Sequence, residues 1–195
     1  MKYKKDNMIL TIEPEEYPES PRQWDNFGKL VCVHKRYNLG DELGLDINEI
    51  NSFEELKEYL IKELKAEIIL SVYMYDHSGI TISTSKTYPY NDRWDAGQIG
   101  FIFCTKEDRE RNKMTDEKAV EALEYEIVVY DQYVTGDIYS YTIEEEKICK
   151  ECNHKSYEHI DSTGGFFGSN FKENGLYESA GIKDLDKDGW KEIEE

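Results

Sequence analysis

Three groups of residues in this chain have types and spacings that could do chemistry. The first is dispersed. Asp76-His77-Ser78 sets a carboxylate, an imidazole and a hydroxyl in consecutive positions. Adjacent residues on an extended chain point to opposite faces, so these three cannot form a catalytic triad alone. For His77 to act as a general base it needs a carboxylate from elsewhere, and Asp95 or Asp131 could supply it. The plainer alternative is a turn in which Asp76 and Ser78 bond to backbone groups and Gly79 takes the unusual dihedral. Trp94-Asp95 places an indole beside a carboxylate, a pair that can stack on a ligand ring or a guanidinium. The alternative there is a core Trp94 and a turn-capping Asp95. His34-Lys35-Arg36 is the dense basic point of the first half; the plainer reading is a solvated strand end, and the alternative is a set of cationic groups facing Asp25 or Asp76. Tyr130 to Asp137 closes a predicted helix with Tyr, Asp, Gln and Thr, and Asp131 stands at the end where a carboxylate does not favour the helix dipole. The candidate pocket is therefore Trp24, Asp25, His34, Arg36, Asp76, His77, Trp94, Asp95, Asp131 and Tyr133, gathered at one end of a sheet.

The second group is Cys149-Lys150-Glu151-Cys152-Asn153-His154, with His159 further on. A Cys-x-x-Cys turn lets two thiolates reach one Zn²⁺, and His154 or His159 could add ligands. Free surface thiols are the alternative, since no second Cys-x-x-Cys exists. Redox use is disfavoured because the motif does not open a helix. The third group, Asp184, Asp186 and Asp188 before Gly189, matches the first half of a calcium loop, with Glu195 at the twelfth position. Lys191 stands where such loops carry an apolar residue, so the preferred reading is an acidic, partly mobile tail. The chain has no Gly-rich phosphate loop, no Gly-x-Ser-x-Gly elbow and no His-Glu-x-x-His.

The elements that must position these groups centre on Leu70 to Phe103. Leu70–Tyr75, Ile80–Thr84 and Ile99–Phe103 read as three strands separated by polar turns. Met8–Ile12, Leu30–His34 and Ile138–Ile143 read as further strands, the last ended by a solvated run of Glu144, Glu145 and Glu146. Ser52 with Glu55 makes a capping box for a helix carrying Phe53, Leu56, Leu60 and Ile61. A short helix capped by Thr105 and Asp108 precedes a long one capped by Thr115, with Ala119, Val120, Leu123 and Ile127 as its stripe and Gly136 as its stop. Helix–strand–strand–strand–helix–strand with a meander in the middle predicts an α+β fold: a mainly antiparallel sheet with two principal helices packed on one face. The expected organisation is a core over 1–147, a Cys/His-rich connector with a flexible aromatic glycine loop over 148–168, and an acidic tail over 169–195.

At 195 residues, with 38% hydrophobic and 34% charged residues, the chain can bury a core. Its net charge of −18 argues against direct binding to nucleic-acid phosphates. The same charge fits a partner with a basic surface, and a mimic of DNA charge would look like this; so would many ordinary acidic cytosolic proteins, which is the plainer reading. Four cysteines without a signal peptide or membrane span predict a cytoplasmic protein with reduced thiols.

Several stretches, taken together, resemble a family of uncharacterised small proteins encoded by bacteriophages and mobile elements. They are Trp24–Gly28, Val31–Asp41, Tyr75–Ile80, Trp94–Gly100 and Tyr130–Gly136, within residues 10–168. The resemblance implies a bacterial-virus setting and carries no activity or catalytic residue. The family's pattern places a further Cys near Thr163, which this chain lacks. The leading expectation is an accessory protein that acts by binding, inhibiting a host defence or DNA-handling protein in the bacterial cytoplasm. The alternative is a small enzyme or small-ligand binder that uses the polar pocket.

Overall fold

The computed structural model describes residues 1–45, 50–85 and 95–194. The chain divides into two compact units, Met1–Glu19 with Gly136–Glu195, and Ser20–Thr135. It therefore starts one unit, builds the other whole, and returns to finish the first. This differs from the expected division at 147 and 168, because the first strands pair with residues far along the chain.

In chain order the elements are β1 (Lys2–Lys5), β2 (Met8–Pro14), β3 (Lys29–Cys32), α1 (Phe53–Lys62), β4 (Ala66–Asp76), β5 (Ile80–Ser83), β6 (Ala96–Thr105), α2 (Lys106–Arg111), α3 (Asp116–Thr135), β7 (Ile138–Ile148), β8 (Lys155–Phe167), α4 (Leu176–Ser179) and β9 (Lys191–Glu192). All strand pairs among the described residues are antiparallel, so the class is α+β with mainly antiparallel sheet.

In the Ser20–Thr135 unit the strand order is β3-β6-β4-β5. β6 is buried on both sides, which explains its continuous apolar run. Phe101 and Phe103 join Leu56 and Leu60 of α1 in one cluster. Ile102 and Cys104, pointing the other way, join Ala119, Leu123 and Ile127 of α3. The two helices thus cover opposite faces, not one, because a strand apolar on both sides needs a cover on each. β3 approaches β6 closely at Gly100, where a Cβ would sit 1.8 Å from the Val31 carbonyl oxygen. The predicted caps form: Ser52 Oγ accepts the Glu55 amide at 3.1 Å. Thr105 and Asp108 exchange both bonds of a capping box.

In the other unit the order is β8-β7-β2-β1-β9. Three expectations are corrected here. Glu144, Glu145 and Glu146 do not end the strand. They lie within β7, where the Glu146 carboxylate contacts Lys4 and Lys155. The aromatic glycine segment is not a loop, since Gly164 to Phe167 continue β8, and Phe166 and Phe167 pair with Tyr139 and Ile138. The expected acidic, partly mobile tail is, over residues 169–194, packed on the sheet. Phe171, Leu176, Ile182 and Trp190 are buried with Leu10, Ile12, Tyr141 and Ile143 in one cluster. That tail supplies the apolar cover without which one face of the sheet would be wet.

Candidate functional site

The site forms where β3, the β4–β5 turn and the start of β6 meet. β3 hands over to His34, whose Nδ1 accepts the backbone N–H groups of Arg36 and Tyr37, both at 3.3 Å. That role leaves the ring proton of the neutral imidazole on Nε2. The His34 and Tyr37 rings stack at 5.2 Å, and the Arg36 guanidinium lies 5.2 Å from the Tyr37 ring centre. This compact loop delivers Arg36 Nη1 to Asp76 Oδ2 at 2.9 Å, and the Tyr37 hydroxyl to Asp76 Oδ1 at 3.1 Å.

Asp76 is the last residue of β4. Its amide donates to the Asp95 carbonyl oxygen at 2.8 Å, which sets the two carboxylates side by side. The turn that follows takes Ser78 to a φ of 59° and Gly79 to 153°, so the left-handed step is shared by a serine and the glycine. It projects His77 outward, with Nδ1 3.1 Å from Asp95 Oδ2 and the ring 5.9 Å from that of Tyr75. A cleft of about 340 Å³ results. His34, Arg36, Asp76, Asp95 and Gln98 supply its polar lining, with Met74 and Ile99 as apolar lining.

Of the ten expected pocket residues, His34, Arg36, Asp76 and Asp95 line this cleft, and His77 adjoins it through Asp95. Trp24 and Asp25 do not line it; both are exposed after a short turn at Pro21–Gln23. Asp131 is committed elsewhere. Its Oδ1 accepts from Thr81 Oγ1 at 2.8 Å and from the Ile82 amide at 2.7 Å, tying the edge strand β5 to α3. Its place on the helix thus has a structural reason. Tyr133 stacks on Tyr130 at 5.9 Å against the core. Trp94 lies outside the described residues. The cleft lining includes no hydroxyl or thiol nucleophile among the described residues. Asp76 and Asp95 are each already engaged with a basic side chain. The arrangement presents two carboxylates, a guanidinium and an imidazole to one cleft.

Two features escaped the sequence reading. Tyr37 orders the loop, and only its place beside Arg36 could have signalled that. Arg22, only 5% exposed, joins Asp41 through Nε at 2.8 Å and Nη2 at 2.7 Å, and Glu126 through Nη1 at 2.8 Å. Its guanidinium is held above its ordinary range: burial opposes the charge, but hydrogen bonds and attraction from Asp41, then Glu126, outweigh it. Partners at separations of 19 and 104 residues leave no local pattern to read.

Burial, followed by the charge of Asp41, pushes the Cys32 thiol up to about 12. Burial, with Asp108 next, pushes that of Cys104 up to about 11. Cys149 differs. It is exposed, and its thiol is held below the usual value by the backbone N–H of Cys152, then that of Glu151, then the Cys152 thiol. Cys149, Cys152 and His154 share the β7–β8 hairpin turn, closed by Cys149 N–H to His154 carbonyl oxygen and Asn153 N–H to Cys149 carbonyl oxygen, both at 2.9 Å. His159 is on β8, opposite Glu144, with Nε2 3.0 Å from Ser162 Oγ. Thr163 pairs with Tyr141, roughly 26 Å along the strand from Lys155 at about 3.3 Å per residue. Among the described residues, no three His, Cys, Asp or Glu side chains are gathered for a metal. In the acidic loop, Asp188 Oδ2 accepts the amides of Lys183 at 2.7 Å and Asp184 at 3.1 Å, while Asp184 Oδ1 accepts that of Lys187 at 3.1 Å. Those two carboxylates are thus turned onto their own backbone, and Asp186 is exposed. Glu195 lies outside the described residues.

No family model, characterised protein or solved structure matches this chain.

Proposed function

We propose that this protein acts by binding, and that its cleft receives a cationic side chain of a basic partner protein. The observation that carries this reading is the convergence of His34, Arg36, Asp76 and Asp95, from three separate stretches of chain, on one cleft. Two carboxylates stand there against one guanidinium. Arg36 is 70% exposed at the side chain, so an incoming guanidinium or ammonium group can compete with it for Asp76 at small cost. A chain of net charge −18 raises the local concentration of basic partners and speeds their approach. In the bacterial-virus setting that the sequence resemblance implies, a DNA-handling or defence protein with a basic groove fits this chemistry.

A second reading is favoured by the cleft's size, which falls at the lower end of the range for small-molecule sites. On that reading the occupant is a free polar molecule bearing a cationic group. The test is capture from bacterial lysate on immobilised protein, compared with an Asp76→Asn/Asp95→Asn double variant and with Asp25→Asn. The expected result is a basic protein held by wild type and Asp25→Asn, released by salt and lost on the double variant. Equal capture by the double variant, or none by wild type, overturns the partner reading. Calorimetry with arginine and lysine amides then tests the small-ligand reading.

A further inference from the structure

Among the described residues nothing pairs with the outer side of β8, the outermost strand of its sheet, and every residue from Lys155 to Gly165 is exposed. Two bonds decide which backbone groups face outward. Glu146 N–H donates to the Asn7 carbonyl oxygen at 2.7 Å, so the even-numbered residues of β7 near its end turn away from β8. Cys149 N–H donates to the His154 carbonyl oxygen at 2.9 Å, so the odd-numbered ones turn towards it. By register, Ser156 and Glu158 then bond to Lys147 and Glu145, and the N–H and C=O groups of Lys155, Tyr157 and His159 point away from β7.

This open segment has defined ends. The hairpin turn closes it before Lys155. The register slips between Glu144 and Ile143, where Ile160 is the extra residue of a bulge, so it stops after His159. Between those ends stands no proline or glycine. The charges that would guard the edge are tied to β7: Lys155 to Glu146 at 2.8 Å, and Glu158 to Lys147. Tyr157, at the centre, is 52% exposed.

A second copy fits this edge because the segment complements itself. Turned about a two-fold axis at Tyr157, it meets the partner's Tyr157 there, with Lys155 opposite the partner's His159. Those pairs bring the outward backbone groups together, and the two tyrosine rings meet across the strands. Ser156 falls opposite the partner's Glu158, a hydroxyl facing a carboxylate. Each hairpin tip lies beside the other copy's bulge, so the two terminations coincide. An axis at Glu158 would set two carboxylates against each other, and one at Ser156 would run His159 into the partner's turn.

We propose that β8 is a dimerisation edge, on which Lys155–His159 of two copies pair antiparallel about Tyr157 and join two five-stranded sheets into one. Copies of net charge −18 repel, so added salt strengthens this contact, the reverse of its effect on capture by the cleft.

The test is sedimentation velocity of the full chain under reducing conditions in about 150 mM salt, over a series reaching millimolar protein, with amide exchange by NMR at both ends of the series. The expected result is a mass that doubles with concentration. The amides of Lys155, Tyr157 and His159 should exchange fast in the monomer and slowly in the dimer, while those of Ser156 and Glu158 stay slow throughout. Tyr157→Pro removes a donor that β7 does not use, so it should abolish doubling and keep the Glu158 amide slow. Ser156→Lys places an ammonium group opposite the partner's Glu158 at two symmetric points and should tighten the dimer about 2- to 25-fold, whereas Ser156→Glu should loosen it. Loosening by both Ser156 variants overturns the register. A monomer at every concentration, a dimer whose Tyr157 amide stays fast, or a dimer that survives Tyr157→Pro overturns the edge pairing itself.

Discussion

The Arg22 cluster allows a stability prediction worked from its contacts. Arg22 donates four hydrogen bonds: two to Asp41, one to Glu126, and one at 2.8 Å to the Gly28 carbonyl oxygen. Summed at about 1.5–3 kcal/mol per charged bond, they would exceed any reasonable net effect, because folding also strips water from three charges. Breaking a buried pair by removing one partner costs about 3–5 kcal/mol. Here the carboxylates keep other donors. Asp41 still accepts from the Leu30 amide at 2.8 Å, and Glu126 from those of Phe27 and Gly28 at 2.7 and 2.9 Å. Both acids also retain some exposure, 18% and 14%. Arg22→Met, which roughly fills the volume, should therefore cost about 3–4 kcal/mol, at the lower end of that range. That is roughly two to three decades in the opening equilibrium, at 1.4 kcal/mol per decade. Arg22→Lys keeps the charge but cannot fork onto Asp41 while reaching Glu126, so it should fall between the two. The assay is native-state hydrogen exchange of peptides within residues 20–135, which reads opening free energy locally. A cost below about 1 kcal/mol for Arg22→Met, or wild-type protection in Arg22→Lys, would refute the reasoning.

Trp190, buried at 8% exposure with the Lys5 ammonium 5.9 Å from its ring centre, should cost about 3–5 kcal/mol when replaced by Ala. Hydrogen exchange in β1 and β2 peptides checks this, and unchanged protection would return residues 169–195 to the status of a dispensable tail. Asp108 gives a pH dependence. Burial pulls its carboxyl upward, but the Thr105 hydroxyl and amide, then Lys29 and Arg111, hold it below the ordinary carboxylate range. An acid with a lower pKa folded than unfolded adds stability above the unfolded value, about 3.9, and loses it as pH falls through the folded one. Asp108→Asn should thus cost about 1–3 kcal/mol at neutral pH, and its gap from wild type should close below about pH 4 in urea unfolding. A constant gap would contradict the linkage.

How much of this was legible beforehand differs by element. The helix caps at Ser52 and Thr105, the stop at Gly136 and the three central strands were readable because each depends on neighbours within a few residues. The α+β class followed from their order. The pocket was half legible. Asp76 and Asp95 bracket a hairpin and its partner strand, so their meeting follows from the meander, and Arg36 with His34 was visible as a basic point. Asp131 was misjudged because its demand comes from β5, 50 residues away, not from its own helix. The glycine-rich aromatic segment was misread because glycine signals a turn until a partner strand is known.

What the sequence alone determined is local or compositional: caps, alternation, turn residues, the Cys-x-x-Cys spacing and the net negative charge. Only the tertiary structure decided which strand lies beside which, that two helices cover opposite faces of one sheet, and that residues 171–190 complete a core begun by residues 8–14. It also decided that Arg22 serves as a buried counter-ion while Arg36 serves as an exposed one. Both are arginines in polar loops, and no local propensity separates them. The difference lies in what the fold brings within 3 Å of each guanidinium, and in how much water it removes when it does.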